Sequence, residues 1–195
     1  KGGTMAPKTK YSKEEILETA LNIARERGIS AVTSREPGKA LGTSARPIFT
    51  AFPNMQALYQ NIVQSVKEIY NKYIDKGLQH EYPFMGVGLQ FIQFAVDEPQ
   101  LFRLIFMTKQ EEQTESIQNF VMSDDNYQIV LNAMKQSYHI DDDEARWLYK
   151  NSFIYAYGVA SLCITGVIRY SKEDVFNLFN EMFCRWITGK ISKET

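Results

Sequence analysis

The stretch from Thr33 to Phe52 constrains the fold of this chain most strongly, because it predicts two short helices joined by a tight turn. Ser34 is a suitable N-cap for the first helix, and Ser44 for the second. Between them, Gly42 stands where a helix commonly ends in the left-handed conformation, which glycine adopts at little cost. Helix, glycine turn and helix in this order are typical of a DNA-binding helix-turn-helix.

The neighbouring helices carry their own start and stop signals. Ser12 and Glu15 form a capping box at the start of the first helix, and Gly28 ends that helix. Asn54 is placed to cap a long helix that runs towards Gly77, with apolar residues every three or four positions. The sequence contains no alternating strand pattern and no repeat, so the predicted fold class is all-α, with about nine helices.

Further helices are predicted after the long one. Met85–Val96 is a dense apolar helix, and Pro99 starts the next. The four acids Asp141–Glu144 suggest either a metal site or a helix N-terminus; the helix is favoured, because oxygen ligands for a metal must converge from more than one turn. That helix is expected to run to about Tyr170. The last helix, opened by Ser171, carries more apolar surface than one small core requires, which predicts a dimer interface.

Charge is divided unevenly along the chain. Residues 1–80 hold 12 Lys and Arg against 7 Asp and Glu, whereas residues 81–195 hold 10 against 16. A basic N-terminal part suggests binding to a polyanion such as nucleic acid, although an imbalance of this size also arises by chance.

The sequence contains none of the common catalytic or zinc-binding motifs. His80 and His139 are the only histidines, and both fall in predicted loops, which argues against a catalytic triad or a zinc site. Cys163 and Cys184 lie in apolar helices and are expected to be buried thiols in a reducing cytoplasm. The longest uncharged run, Asn151–Ile168, contains polar residues and is interpreted as a buried helix, not a membrane span. We therefore predict a cytoplasmic protein with no enzymatic activity, no metal and no cofactor.

Several short motifs follow one another between Tyr11 and Tyr70. They are Arg27-Gly28, Ala40-Leu41-Gly42, Ser44, Ile48-Phe49, Phe52-Pro53-Asn54 and Leu58. In this order and spacing, the stretch resembles the DNA-binding head of the TetR/AcrR family of one-component bacterial regulators. The remainder is similar only in architecture: a helical, ligand-sensing body whose last two long helices dimerise.

The resemblance implies a division of the chain. Residues 1–10 are interpreted as a cloning scar followed by a flexible arm. Residues 11–55 would form the helix-turn-helix domain, and residues 56–195 the helical effector-binding and dimerisation domain. The long helix 54–77 would link the two.

The resemblance also implies which residues meet DNA. Those at the groove-facing recognition helix are Thr43, Ser44, Ala45, Arg46, Pro47, Phe49 and Thr50, while Thr33 and Lys39 stand where the family meets phosphates. Arg46 can bind guanine O6 and N7 or contact a phosphate, and both interpretations stay open. Three positions depart from the family pattern. Phe49 replaces a phosphate-binding Tyr, Met55 replaces a phosphate-binding Lys, and Pro37-Gly38 replaces a pair more favourable to helix.

An effector pocket is expected in the helical body. The candidate lining residues are Phe91, Phe94, Phe106, Met107, Tyr127, Met134 and Tyr155. For each of them a plain core is the favoured alternative, because apolar pockets and cores share a composition. Their side chains predict a small hydrophobic or aromatic effector.

The expected function is that of a ligand-responsive transcriptional regulator, a repressor that a small effector releases from a palindromic double-stranded DNA operator. It would be a homodimer through its last two helices, with no membrane partner. The alternative is a helical dimer of the same fold that binds small molecules or proteins without specific DNA binding. Phe49, Met55 and Pro37-Gly38 motivate that alternative. An enzyme in the helical body is a third possibility, without any acid–base or metal constellation to support it.

Overall fold

The computed structural model describes residues 11–108, 116–169 and 171–191, and all regular secondary structure within these ranges is helical. The predicted all-α fold class is confirmed. The predicted arm before Tyr11 lies outside the described residues. Ten α-helices are present in the described ranges: α1 Lys13–Arg27, α2 Glu36–Ala40, α3 Arg46–Ala51, α4 Met55–Leu78, α5 Pro83–Asp97, α6 Pro99–Phe102, α7 Ile117–Met122, α8 Tyr127–Tyr138, α9 Asp142–Ile164 and α10 Lys172–Ile191.

The described chain forms two compact units. The first contains residues 11–68 and 100–108, and the second contains residues 69–99 together with the described residues after 115. The division therefore falls inside α4, between Glu68 and Ile69, whereas the expected division lies at the start of this helix. Sequence pattern indicates no boundary within α4, because its apolar periodicity continues without interruption.

Local signals set the ends of α1 and α4 as predicted. The Ser12 hydroxyl accepts a hydrogen bond from the Glu15 amide at 3.1 Å, and the Ser12 amide donates to the Glu15 carboxylate at 2.7 Å. Gly28 follows α1 with a φ of 83°. At α4, the Ala57 amide donates to the Asn54 side chain at 2.8 Å. These caps satisfy amides that have no partner inside their helices.

The caps predicted for α2 and α3 are wrong. Neither Ser34 nor Ser44 occupies the N-cap position, and the residues that do, Arg35 and Ala45, make no side-chain cap. Proline explains the failure. A capping serine usually accepts from the amide three residues later, and here that residue is a proline, which has no N–H. Ser44 instead accepts a long hydrogen bond of 3.3 Å from the Arg46 amide.

The turn between α2 and α3 depends on two glycines for different reasons. Gly42 has a φ of 66°, the left-handed conformation that the sequence predicts. Gly38 lies in α2 so close to the turn that a Cβ atom there would be 2.6 Å from the Ser44 carbonyl oxygen. The Thr43 amide also donates to the Gly38 carbonyl oxygen at 2.8 Å. Gly38 therefore lets the backbone of α2 lie directly against the turn.

The second unit follows the predicted helices with shifted ends. α5 begins at Pro83, two residues before the predicted start at Met85, because proline is favourable in the first turn of a helix. Asp141 caps α9 by accepting from the Glu144 amide at 2.9 Å. α9 ends at Ile164 and not near Tyr170, and Gly166 follows with a φ of 74°.

The two cysteines differ in how far they are buried. Cys184 is exposed on α10, so the prediction of two buried thiols is wrong for this residue; Cys163 is partly buried. The partial burial of the Cys163 thiol raises its pKa.

Within the described ranges, no helix combines the length and apolar character that a bilayer crossing requires.

The Gly38→Ala variant should be less stable by about 1–3 kcal/mol, because the added methyl group meets backbone atoms that have little room to yield. Lys39→Ala is the control, because it places an alanine at the neighbouring, exposed position of the same helix. That control should change the free energy of unfolding by less than about 0.5 kcal/mol. Urea denaturation followed by circular dichroism measures both. A Gly38→Ala variant as stable as Lys39→Ala would contradict the proposed close approach.

Candidate DNA-binding surface and ligand cavity

The exposed face of α3 carries three of the predicted DNA-binding residues. Arg46, Phe49 and Thr50 are spaced at i, i+3 and i+4, so they share one side of the helix, and all three are exposed. Ile48 points to the opposite side and is 1% exposed. The buried isoleucine therefore anchors α3 while a cation, an aromatic ring and a hydroxyl face outwards.

The remaining predicted contacts lie before α3. Thr33, Lys39 and Ser44 are exposed, and Thr43, Ala45 and Pro47 are partly buried. Thr43 lies in the turn, and Ala45 and Pro47 lie at the start of α3, where packing within the first unit covers part of each side chain. All nine predicted residues thus reach the surface of the first unit to some extent, which is the minimum that a DNA contact requires.

The two hydroxyls of this surface differ in what they can donate. The Thr50 hydroxyl donates to the Arg46 carbonyl oxygen at 3.1 Å, one turn back in α3. Its proton is therefore engaged, and a phosphate, which only accepts, would have to displace that bond. The Ser44 hydroxyl accepts from the Arg46 amide, which leaves its own proton available for donation. Ser44 is thus the better phosphate donor of the two.

The electrostatic character of the surface is positive for a local reason. No Asp or Glu occurs between Glu36 and Glu68. Glu36 itself is paired with Arg27 at 2.8 Å, and the hydrogen bond from Arg27 lowers the pKa of this carboxyl group. Arg35 and Arg46 form no ion pair with a carboxylate in the described part of the chain, so both keep an uncompensated positive charge.

Arg35 is a candidate that the sequence interpretation missed. It is exposed at the start of α2, and the Lys39 amide donates to its carbonyl oxygen at 2.9 Å, which places the two residues one helical turn apart. Side chains at i and i+4 share a helix face, so Arg35 and Lys39 present two cations together. The i, i+4 spacing of Arg35 and Lys39 in the sequence could have identified this pair of cations.

Long-range contacts hold the helix-turn-helix in place. The Tyr59 hydroxyl of α4 donates to the Val32 carbonyl oxygen at 2.8 Å, just before α2. The Tyr11 hydroxyl donates to the Leu41 carbonyl oxygen at the other end of α2. Both ends of α2 are therefore tied by hydrogen bonds to residues that are distant in sequence.

The second unit contains a cavity enclosing about 360 Å³, with open solvent at its mouth included. Helices α4, α5, α8, α9 and α10 all contribute to its wall. Its lining is mostly aromatic and aliphatic, and no charged residue is part of it. The lining residues are Tyr70, Phe84, Val87, Gly88, Phe91, Val130, Tyr149, Ser152, Phe153, Ala156 and Phe179.

Of the seven predicted lining residues, Phe91 alone borders this cavity. Three others pack directly behind a lining ring. Phe94 lies 5.5 Å from Tyr70, Tyr127 lies 4.9 Å from Tyr149, and Tyr155 lies 5.4 Å from Phe179, measured between ring centroids.

The last three predicted lining residues are placed elsewhere. Met134 is fully buried in α8. Phe106 and Met107 belong to the first unit, which the sequence could not indicate because this unit recruits residues 100–108 from a later part of the chain. None of these three residues borders the cavity described above. A usable signal was the face of α9 that bears Tyr149, Ser152, Phe153 and Ala156, since a serine stands there among large apolar residues.

A polar network adjoins one wall of the cavity. The Tyr70 hydroxyl donates to one carboxylate oxygen of Asp124 at 3.1 Å, and the Asn126 amide donates to the other at 2.7 Å. Burial raises the pKa of both Tyr70 and Asp124. Asn126 also donates to the Asn71 side chain at 2.9 Å, so the start of α8 is tied to α4 at two neighbouring points.

Comparison with known proteins finds similarity in structure and, for the N-terminal part, in sequence. A protein of unknown function from Rhodococcus sp. RHA1 has a similar structure, with a TM-score of 0.71 over 93% of this chain and 98% of that protein, at 16% sequence identity. This similarity shows the fold alone. No curated protein matches the sequence. Residues 16–62, which run from within α1 through α2 and α3 into α4, match the model of the bacterial regulatory proteins of the tetR family. The helix-turn-helix part of the first unit is therefore similar to the regulatory proteins of the tetR family.

Proposed function

We propose that this protein is a dimeric, ligand-responsive repressor that binds a palindromic DNA operator and is released from it by a small hydrophobic effector. The match to the tetR family over residues 16–62 is the observation that carries the DNA-binding part. Within that match, the exposed face of α3 supplies a cation for base or phosphate contact, and α2 supplies two more. The repressor role follows the usual habit of the family.

The contacts expected with DNA divide into two kinds. Arg46 is the one cation of α3 and is long enough to reach guanine O6 and N7 in the major groove. Thr33, Arg35, Lys39 and Ser44 suit phosphates, which position the protein without reading sequence. In a dimer, two copies of α3 would enter successive major grooves about 34–36 Å apart.

The exposed apolar residues of α9 support a dimer. Ile154 and Leu162 are 44% and 42% exposed, and Gly158 lies between them on the same face of the helix. On α10, Phe176 and Leu178 are 38% and 41% exposed. Burying these surfaces against a second copy would remove apolar area from water on both chains.

The cavity supports a response to ligand. Tyr70 belongs both to the cavity wall and to α4, the helix that also contributes residues to the first unit. A ligand that contacts Tyr70 would therefore act on the helix shared by the two units. It would release DNA only to the extent that it binds the released conformation more tightly than the DNA-bound one.

Phe49 favours a second candidate function, a TetR-like dimer that binds a small molecule or a protein without specific DNA binding. Half of this ring is exposed on α3, at a position where a phosphate-binding hydroxyl is expected, and the Thr50 hydroxyl is engaged within its own helix. The DNA experiment below separates the two functions.

The protein should bind the DNA upstream of its own gene more tightly than random duplex at physiological salt. Arg46→Ala should weaken that specific binding by about 1–3 kcal/mol if Arg46 reads a base. Arg146→Ala is the charge-matched control, because Arg146 pairs with Asp142 in the second unit. Fluorescence anisotropy with both duplexes measures the effect.

Two results would count against this proposal. A dissociation constant weaker than about 10⁻⁶ M, equal on both duplexes, would exclude specific DNA binding and favour the second candidate. An equal loss for Arg46→Ala on both duplexes would reassign Arg46 to a phosphate.

Phe49→Tyr should tighten binding to all sequences by a similar factor, because the added hydroxyl can donate to a phosphate, and phosphate contacts carry no sequence information. We expect a gain of about 1 kcal/mol on operator and random duplex alike. A gain restricted to the operator would instead indicate that residue 49 faces bases.

Ile154→Asp should dissociate the dimer, because it places a carboxylate in the middle of the proposed interface. Ile129→Asp is the matched control, since Ile129 is 52% exposed on α8, which is not one of the two proposed interface helices. Sedimentation velocity should report a mass near the 22.5 kDa of one chain for the first variant and about twice that for the second. A wild-type protein that sediments as a monomer would refute the proposed interface.

A further inference from the structure

We propose that the cavity of the second unit selects an uncharged aromatic ligand, which it holds by a hydrogen bond between a neutral oxygen of the ligand and the hydroxyl of Ser152. This inference deepens the proposed effector response and rests on it for its biological meaning. The binding itself is testable without DNA.

Ser152 is a buried polar residue of the cavity wall whose hydroxyl oxygen lacks a hydrogen-bond partner. It is 3% exposed, and its hydroxyl has no hydrogen-bond partner in the described part of the chain. A buried hydroxyl without a partner is costly, so most buried hydroxyls in proteins are paired. An unpaired hydroxyl on a cavity wall is explained most simply by a partner that enters the cavity.

A comparison within α9 shows that the helix does not force this state on a serine. The Ser161 hydroxyl donates to the Tyr157 carbonyl oxygen at 2.7 Å, one turn back, as serines in helices often do. Ser152 makes no such bond, although it lies in the same helix. Its hydroxyl can therefore both donate to a ligand oxygen and accept from a ligand hydroxyl.

The rings around Ser152 suit a flat ligand. Phe153 follows Ser152 directly and Tyr149 precedes it by three residues. The rings of Tyr149 and Phe153 lie 6.2 Å apart, with planes inclined by 19°. Phe91 lies across from Phe153, with ring centroids separated by 5.4 Å. A flat aromatic ring of a ligand can pack against these rings.

Charge selects against ionised ligands. No Asp, Glu, Lys, Arg or His is among the described residues that line the cavity. The charged group next to the wall is Asp124, and each of its two oxygens already accepts a hydrogen bond, from Tyr70 and from Asn126. A ligand carboxylate would lose its hydration without gaining a cation and would face Asp124, whereas a ligand ammonium group would find no carboxylate on the wall.

Calorimetric titrations of the full chain with four small probes test the hydrogen bond to Ser152 and the preference for uncharged ligands separately. The probes are 4-ethylphenol, ethylbenzene, 4-ethylbenzoate and 4-methylbenzylamine, which differ mainly in one substituent. We expect 4-ethylphenol to bind best. Ethylbenzene should bind about 3- to 10-fold more weakly for want of one hydrogen bond, and the two charged probes at least about 10-fold more weakly.

Ser152→Ala should bring 4-ethylphenol down to the affinity of ethylbenzene and leave ethylbenzene almost unchanged. Ser161→Ala, which removes a hydroxyl of the same helix outside the cavity wall, should leave the preference for 4-ethylphenol intact. Retention of the preference in Ser152→Ala overturns the assignment of the hydroxyl. Tightest binding of a charged probe, or binding of none of the four, overturns the ligand class. Each of these failures leaves operator binding unaffected, so it is distinguishable from failure of the proposed DNA-binding function.

Discussion

The buried stripe of α4 is the constraint on which both units depend. Leu58, Ile62 and Val66 lie in the core of the first unit, and Tyr70 and Ile74 lie in the core of the second, each at most 6% exposed. Burying an aliphatic side chain of this size contributes about 1.5–3 kcal/mol. One helix thus supplies apolar contacts to two cores, and its length follows from serving both.

Within the first unit, backbone approach is as important as side-chain packing. Gly38 brings α2 against the turn, Gly42 supplies the left-handed residue, and two prolines remove amides that serine caps would have used. The helix-turn-helix consequently depends on hydrogen bonds to residues distant in sequence, which compensate for its missing caps. The Tyr59 hydrogen bond to Val32 is the clearest of these. Short helices with weak caps form only in such a context, because an isolated helix of five or six residues is not stable in water.

In the second unit, the cavity combines residues that no local pattern groups together. Phe179 of α10 packs so closely on Gly88 of α5 that a Cβ atom at Gly88 would lie 2.6 Å from its ring. The lining rings are supported from behind by other aromatic rings, three of which the sequence interpretation had assigned to the lining itself. The sequence therefore identified aromatic residues in the right part of the fold, but it did not identify which of their rings face the cavity. Helix rotation decides that question, and it depends on every neighbouring helix at once.

The sequence by itself determined the all-α class, the capping box of α1, the glycine turn and the family resemblance of the N-terminal part. These features depend on neighbours within about four residues, which is the range over which capping, φ preference and helical periodicity act. Tertiary structure alone decided that residues 100–108 join the first unit, that Arg35 and Arg46 remain without carboxylate partners in the described chain, and that the Ser152 hydroxyl lies unpaired on a cavity wall. These are properties of side chains brought together from distant parts of the chain. No local rule fixes them, because each depends on how several helices pack and rotate against one another.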